Sequence, residues 1–260
     1  MSVATDWRSF RNRVGQGERV FGTFIKTPTT HAIEILAACG YDFVVIDAEH
    51  APFDRQAIDT CVLAARASGT TSIVRVQSRR AADIGDALDA GATGVMIPHL
   101  TSADVAREAV EACRYSGRRG YSNSPRAGDF GGRSMWGHID LADAQTTIIG
   151  MVEDPEGVEA IDRIVQVPGL DAIFIGRGDL GAAYRDRAPG SPRVQEATDR
   201  IVTAAARRGL PVFLMPGGAE DAAAYASRGV RGFIIGSDQG FLRSAALSSL
   251  AAVRDRTRAS

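Results

Sequence analysis

Residues 43–54, FVVIDAEHAPFD, decide how the rest of the chain is read. The first four are apolar without alternation, as a strand buried between a packed interior and an outer helical layer requires. The run then stops at Asp47, Glu49 and His50. Ionised carboxylates are expensive to bury, so titratable groups crowded where a strand opens to solvent need partners or a function.

Seven more runs of this kind accompany it, at 21–25, 72–76, 94–97, 147–152, 172–175, 212–215 and 232–235. Segments between them, such as 30–39, 54–68, 81–90, 102–115 and 194–208, have helical length and apolar spacing. Gly40, Gly69, Gly91, Gly209 and Gly229 each stand a few residues before a strand, where a helix must end in a left-handed cap. Eight βα units in about 250 residues predict a (β/α)8 TIM barrel, α/β in class, with 1–260 as one domain. A doubly wound sheet is the structural alternative, weakened because no GxGxxG follows the first strand. An N-terminal helix carrying Trp7, Phe10 and Val14 is expected to cover the non-catalytic end. A C-terminal helix is expected over 241–253.

The composition narrows the function classes. Thirty Lys and Arg balance 31 Asp and Glu, a formal charge of −1, which excludes a strongly basic nucleic-acid surface as the default. Charged residues interrupt the first twenty positions before a signal-peptide core forms, and no later window has membrane-spanning length, so no membrane partner is expected. Cys39, Cys61 and Cys113 form no CxxC pair, which suits a reducing compartment and a cytoplasmic protein.

Further polar groups stand at other strand ends. Arg75 lies inside the apolar SIVRV and must be paired; a planar cation beside a carboxylate also suits a keto-acid substrate. Glu153 in MVEDPEG and Asp179 in IFIGRGDLG occupy analogous positions on adjacent strands. Two such carboxylates either hold a hard divalent cation or pair with Arg126, Arg177 or Arg185. Glycines 176, 178 and 181 permit close backbone approach, so the 177–179 amides could cradle a carboxylate. The Arg- and Gly-rich connections 116–140 and 177–192 are both expected at the C-terminal face, bordering its mouth. His99 is either a substrate contact or a local cap, His31 a helix-surface residue and His138 a loop residue. No HxH or HxxxH supports a histidine-rich zinc site.

Together IDAEHAPFD, VRV, DAGATGVMIP, MVED, IFIGRGDL and GFIIGSD resemble the HpcH/HpaI family of metal-dependent class II pyruvate aldolases, from about Phe21 to Asp238. The resemblance implies His50 as catalytic base, Arg75 as substrate-binding arginine and Asp89 as the aspartate partnered with the histidine. It implies Glu153 and Asp179 as ligands of Mg²⁺, Mn²⁺ or Co²⁺, Asp47 as the acid orienting the arginine, and the Gly178 and Asp179 amides as binders of the pyruvyl carboxylate. It also implies a homohexamer with exchanged C-terminal helices; otherwise that helix closes its own barrel. Met151 stands where a glutamine is common in the family, Arg177 where it has proline and Gly181 where serine is usual.

The expected activity is reversible aldol chemistry of 4-hydroxy-2-keto acids, with pyruvate or hydroxypyruvate as donor and a small aldehyde as acceptor. A related carboxylate-condensing synthase or thioester C–C lyase would use the same enolate. Lys26, at the end of the first strand, makes a Schiff-base route the rival mechanism.

Overall fold

The computed structural model describes residues 10–185, 187 and 191–258, so the Trp7 part of the N-terminal expectation lies outside the described residues. Eight parallel strands close into a barrel in sequence order. They are β1 (Val20–Ile25), β2 (Phe43–Asp47), β3 (Thr71–Arg75), β4 (Gly94–Ile97), β5 (Thr147–Val152), β6 (Ala172–Ile175), β7 (Val212–Leu214) and β8 (Gly232–Ser237). Closure is made by β1 pairing β8, with Val20 opposite Gly232 and Phe21 opposite Phe233. The expected barrel is therefore observed and the doubly wound sheet is not.

Around the barrel run α1 (Phe10–Gly15), α2 (Thr30–Ala38), α3 (Arg55–Ala67), α4 (Ala81–Asp89), α5 (Ala103–Cys113) and α6 (Met135–Gln145). They continue with α7 (Pro155–Glu159), α8 (Ile161–Ile164), α9 (Arg177–Ala183), α10 (Pro192–Ala206), α11 (Ala219–Ser227) and α12 (Asp238–Arg258). All five punctuating glycines have positive φ, from 64° at Gly209 to 95° at Gly229, so each relieves the left-handed strain that ends its helix.

Strand alternation sorts the side chains into two cores. Phe43 and Val45 point into the lumen, whereas Val44 and Ile46 pack under the helices. The same parity carries the lumen face of β2 to Asp47, that of β3 from Ile73 to Arg75, and that of β5 from Ile149 through Met151 towards Glu153. At the other end the lumen is plugged by aromatic rings: Phe10 of α1 lies 5.2 Å from Phe43, and Phe43 lies 5.8 Å from Phe213. Gly22 and Gly232 make room for this plug, because a Cβ at either would overlap the Phe43 or Phe213 ring.

Chain direction corrects one expectation. The connection 116–140 follows α5, not a strand, and therefore lies at the N-terminal end of the barrel. Arg118 pairs with Glu111 near the end of α5, Arg119 with Asp89 at the end of α4, and Arg114 donates to the Thr146 carbonyl just before β5. These arginines do not border the mouth. His138 lies in α6 rather than a loop, and is buried. At the C-terminus, Asp238 accepts hydrogen bonds from the Lys26 and Thr27 amides, and every residue of α12 from 242 onward is exposed. Beyond Phe241 the helix therefore does not close its own barrel. No helix among the described residues is long and apolar enough to cross a membrane.

Gly232→Ala tests the plug. Overpacking beside Phe213 should lower unfolding free energy by about 1–3 kcal/mol, read as a lower urea midpoint at unchanged m-value; an unchanged midpoint would mean that the ring yields freely.

Candidate active site

The centre of the C-terminal mouth is built on Asp47, which is fully buried. Register places it opposite Arg75, and the two form a bidentate pair, with Nε 2.9 Å from Oδ1 and Nη2 2.8 Å from Oδ2. Lys26 Nζ lies 3.0 Å from the same Oδ2, and the His50 amide donates to Oδ1 at 3.1 Å. Burial alone would raise the Asp47 carboxyl; the bonds and charge of Arg75, then Lys26 and the His50 amide, hold it below its ordinary value. The guanidinium lies over Phe24 at 4.9 Å from the ring centroid. Its remaining Nη1 is 3.4 Å from Glu49 Oε2 and 4.0 Å from Met151 Sδ. Lys26 Nζ is thus engaged by the Asp47 carboxylate.

A second cluster is anionic. Glu153 follows β5, is 2% exposed, and accepts the His99 amide on Oε1 at 2.9 Å. His99 adopts φ 58°, a strained left-handed backbone for a histidine, with Nδ1 3.0 Å from Asp154 and Nε2 3.7 Å from Glu49 Oε1. Burial pushes the Glu153 carboxyl up to about 7, opposed by the His99 amide and ring and aided by repulsion from Glu49 and Asp179. Burial likewise raises Glu49, whose Oε2 is buried without a hydrogen bond. Ligand atoms of Glu49, His99 and Glu153 lie within 4.8 Å of one another. A buried and a half-buried carboxylate with an exposed imidazole at that spacing, and one carboxylate oxygen unsatisfied, fit a divalent cation. Gly176 keeps the place open, since a Cβ there would lie 2.5 Å from the Glu153 Cβ.

The sequence-derived site residues are only partly gathered. Asp47, Arg75, Met151 and Glu153 converge at the mouth, with Gly178 and the exposed Asp179 in the first turn of α9. The side chain of His50 is 53% exposed, with Nε2 3.8 Å from Glu49 Oε2. Asp89 is not brought to His50: it ends α4, at the opposite end of the barrel, bound to Arg119 at 3.0 Å. Glu49 was legible only as one acid of the 43–54 stretch and His99 only as a strand-end histidine; neither had a spacing that marked it as a ligand. A cavity of about 1210 Å³ opens above the ion pair, floored by Phe24, Arg75, Met151 and Phe174. Arg177 on its wall is tied to Asp221 at 2.6 Å.

A closed barrel with its charged groups at the C-terminal strand ends defines a barrel enzyme. The chain belongs to the HpcH/HpaI aldolase/citrate lyase family, whose profile matches residues 20–245. It is 30% identical to a hydroxypyruvate/pyruvate aldolase of Paraburkholderia phytofirmans over 97% of this chain and 100% of that protein. Among solved structures, a family member from Burkholderia cenocepacia superposes with TM-score 0.90 at 32% identity, covering 95% of this chain and 99% of that one. The citrate synthase SbnG superposes with TM-score 0.88 at 31% identity, covering 96% and 99%.

Asp47→Asn should cost about 3–5 kcal/mol at pH 7, because Arg75 and Lys26 lose their buried counter-charge. The folded Asp47 carboxyl lies below its ordinary 3.8, so its contribution is complete above that value and is lost as pH falls through the folded one. Denaturant titrations should therefore show wild type and variant converging below about pH 4; a gap independent of pH would show that the carboxylate charge is not what holds the pair.

Proposed function

We propose that the protein catalyses metal-dependent, reversible aldol cleavage and condensation of 4-hydroxy-2-keto acids, giving pyruvate or hydroxypyruvate and an aldehyde. The observation that carries this reading is the Arg75 guanidinium, locked by Asp47 and lying beside the Glu49–His99–Glu153 cluster under a wide cavity. Glu153, with Glu49 and His99 or with Asp179 across the turn, would hold Mg²⁺, Mn²⁺ or Co²⁺. Bound there, the cation supplies Lewis-acid stabilisation of negative charge on the keto acid.

The chain's own residues account for the rest. Arg75 Nη1 donates to the oxygen on which charge develops, and its fixed fork is oriented before the substrate arrives. The 178–179 amides bind the carboxylate. His50, at the open edge of the site, takes the proton of the C4 hydroxyl. The C3–C4 bond then breaks, its electron pair enters the keto group as an enolate, and the aldehyde leaves; protonation at C3 releases the keto acid. Asp89, at the far end of its own barrel, would meet a histidine only across a subunit boundary. That fits a homohexamer, and the exposed Leu242, Leu247, Leu250 and Val253 of α12 supply an apolar stripe for exchange. The whole of 1–260 would act as one domain, in the cytoplasm.

Met151 presents a thioether to the donor where a polar contact is common, which favours a broad donor range and short hydroxyaldehydes such as glycolaldehyde. The likeness to SbnG supports a second reading, in which the same enolate attacks a different carbonyl, as in a carboxylate-condensing synthase.

A matrix of initial rates, donors against acceptors with Mg²⁺ or Mn²⁺, tests the proposal. Chelation should abolish turnover, His50→Ala should lower it by about 10²–10⁴, and borohydride should trap no adduct. Turnover that survives chelation and yields a trapped Lys26 adduct would overturn the metal route. Strict preference for one dicarboxylic acceptor would overturn only the breadth.

A further inference from the structure

At the end of the barrel opposite the mouth, beside the starts of β4 and β5, lies a second cavity of about 80 Å³. It shares no lining residue with the first. Arg66, Arg119, Arg126, Arg133 and His138 all line it, and none of its lining residues is acidic. Carboxylates from outside the lining reach two of these arginines, Arg119 and Arg126. Asp89 takes Arg119 Nη2 at 3.0 Å and Asp59 takes Arg126 Nη2 at 2.7 Å. Arg133 Nη1 donates to the Ala127 carbonyl.

What remains is a surplus of buried donors. Arg119 Nε and Arg126 Nε are buried with no hydrogen-bond partner. His138 Nε2 meets the Tyr115 hydroxyl at 2.9 Å, while Nδ1 approaches the Ala127 carbonyl too loosely for a hydrogen bond within normal limits. Unmet buried donors are destabilising, and permanently charged ones most of all. Burial, then Arg119 and Arg133, also push the His138 imidazole below its ordinary range, as positive surroundings require. Gly91 permits the arrangement, since a Cβ there would stand 3.3 Å from the Arg126 stem.

We propose that this cavity binds one small inorganic anion, a halide or a tetrahedral oxyanion, between the Arg119 and Arg126 guanidinium groups. Water alone would satisfy the donors, but Asp89 and Asp59 balance only Arg119 and Arg126, and Arg133, held by a carbonyl, has no ion pair among the described residues; an anion supplies an acceptor and that charge together. The bound ion would bolt together α3, which carries Arg66, the end of α4, and the segment that leads through α6 into β5. It would also steady Arg119, the partner of Asp89.

The test uses crystals of the full chain soaked in sodium bromide or in sodium selenate, with anomalous data collected at the bromine or selenium edge. The expected result is a peak between Arg119 Nε and Arg126 Nε with at least one salt, and which salt gives it separates a halide site from an oxyanion site. With ionic strength held by gluconate, too bulky for the cavity, the same salt should raise Tm by about 3–5 °C per tenfold excess over Kd. Arg126→Met should lose most of that rise, and Arg118→Gln, altered at an exposed arginine paired with Glu111, should keep it. The peak decides. Solvent density without anomalous signal under both salts overturns the proposal, whatever the melting curves show.

Discussion

The buried pair between Asp47 and Arg75 is the constraint around which the catalytic end of the barrel is arranged. Neither charge could enter an apolar lumen alone, because an unpaired ion there costs several kcal/mol even after relaxation. Register solves this by setting the two residues opposite each other on adjacent strands, and the bidentate fork leaves one guanidinium nitrogen for other work. Around that nitrogen the structure supplies an aromatic face from Phe24, a soft sulfur from Met151 and an acid from Glu49. The anionic cluster stands next to it, so the site holds fixed positive charge and a place for more.

Much of this was legible in the sequence because barrel strands have a simple grammar. Runs that are apolar on both faces, several of them preceded by a helix-ending glycine with positive φ, mark both the strands and the direction in which each helix returns. Asp47 and Arg75 were legible because a charge inside such a run is anomalous. The misplaced 116–140 connection shows the limit of the grammar: its arginines and glycines resembled a substrate loop, but a segment entered from a helix lies at the other end of the barrel. Glu49 and His99 were only half legible. Their meeting with Glu153 depends on a left-handed turn at His99 and on the spatial convergence of three strand ends, neither of which leaves a spacing in the chain.

Arg177 and Met151 line the mouth around its charged centre. Arg177 forms an ion pair with Asp221 and a stacking contact on Tyr225, linking the turn after β6 to α11. Met151 is fully enclosed beneath the cavity. Neither residue takes part in the Asp47–Arg75 pair.

The central claim is that Arg75, fixed by Asp47, stabilises an enolate. Deuterium exchange into the methyl group of pyruvate, followed by NMR with Mg²⁺ or Mn²⁺ and no aldehyde, isolates that step from acceptor chemistry. The account predicts exchange by the wild type and a loss of about 10²–10³ in Arg75→Met, the span for removing one oxyanion donor, in a variant whose metal affinity is retained. Exchange at the wild-type rate in that variant would contradict it.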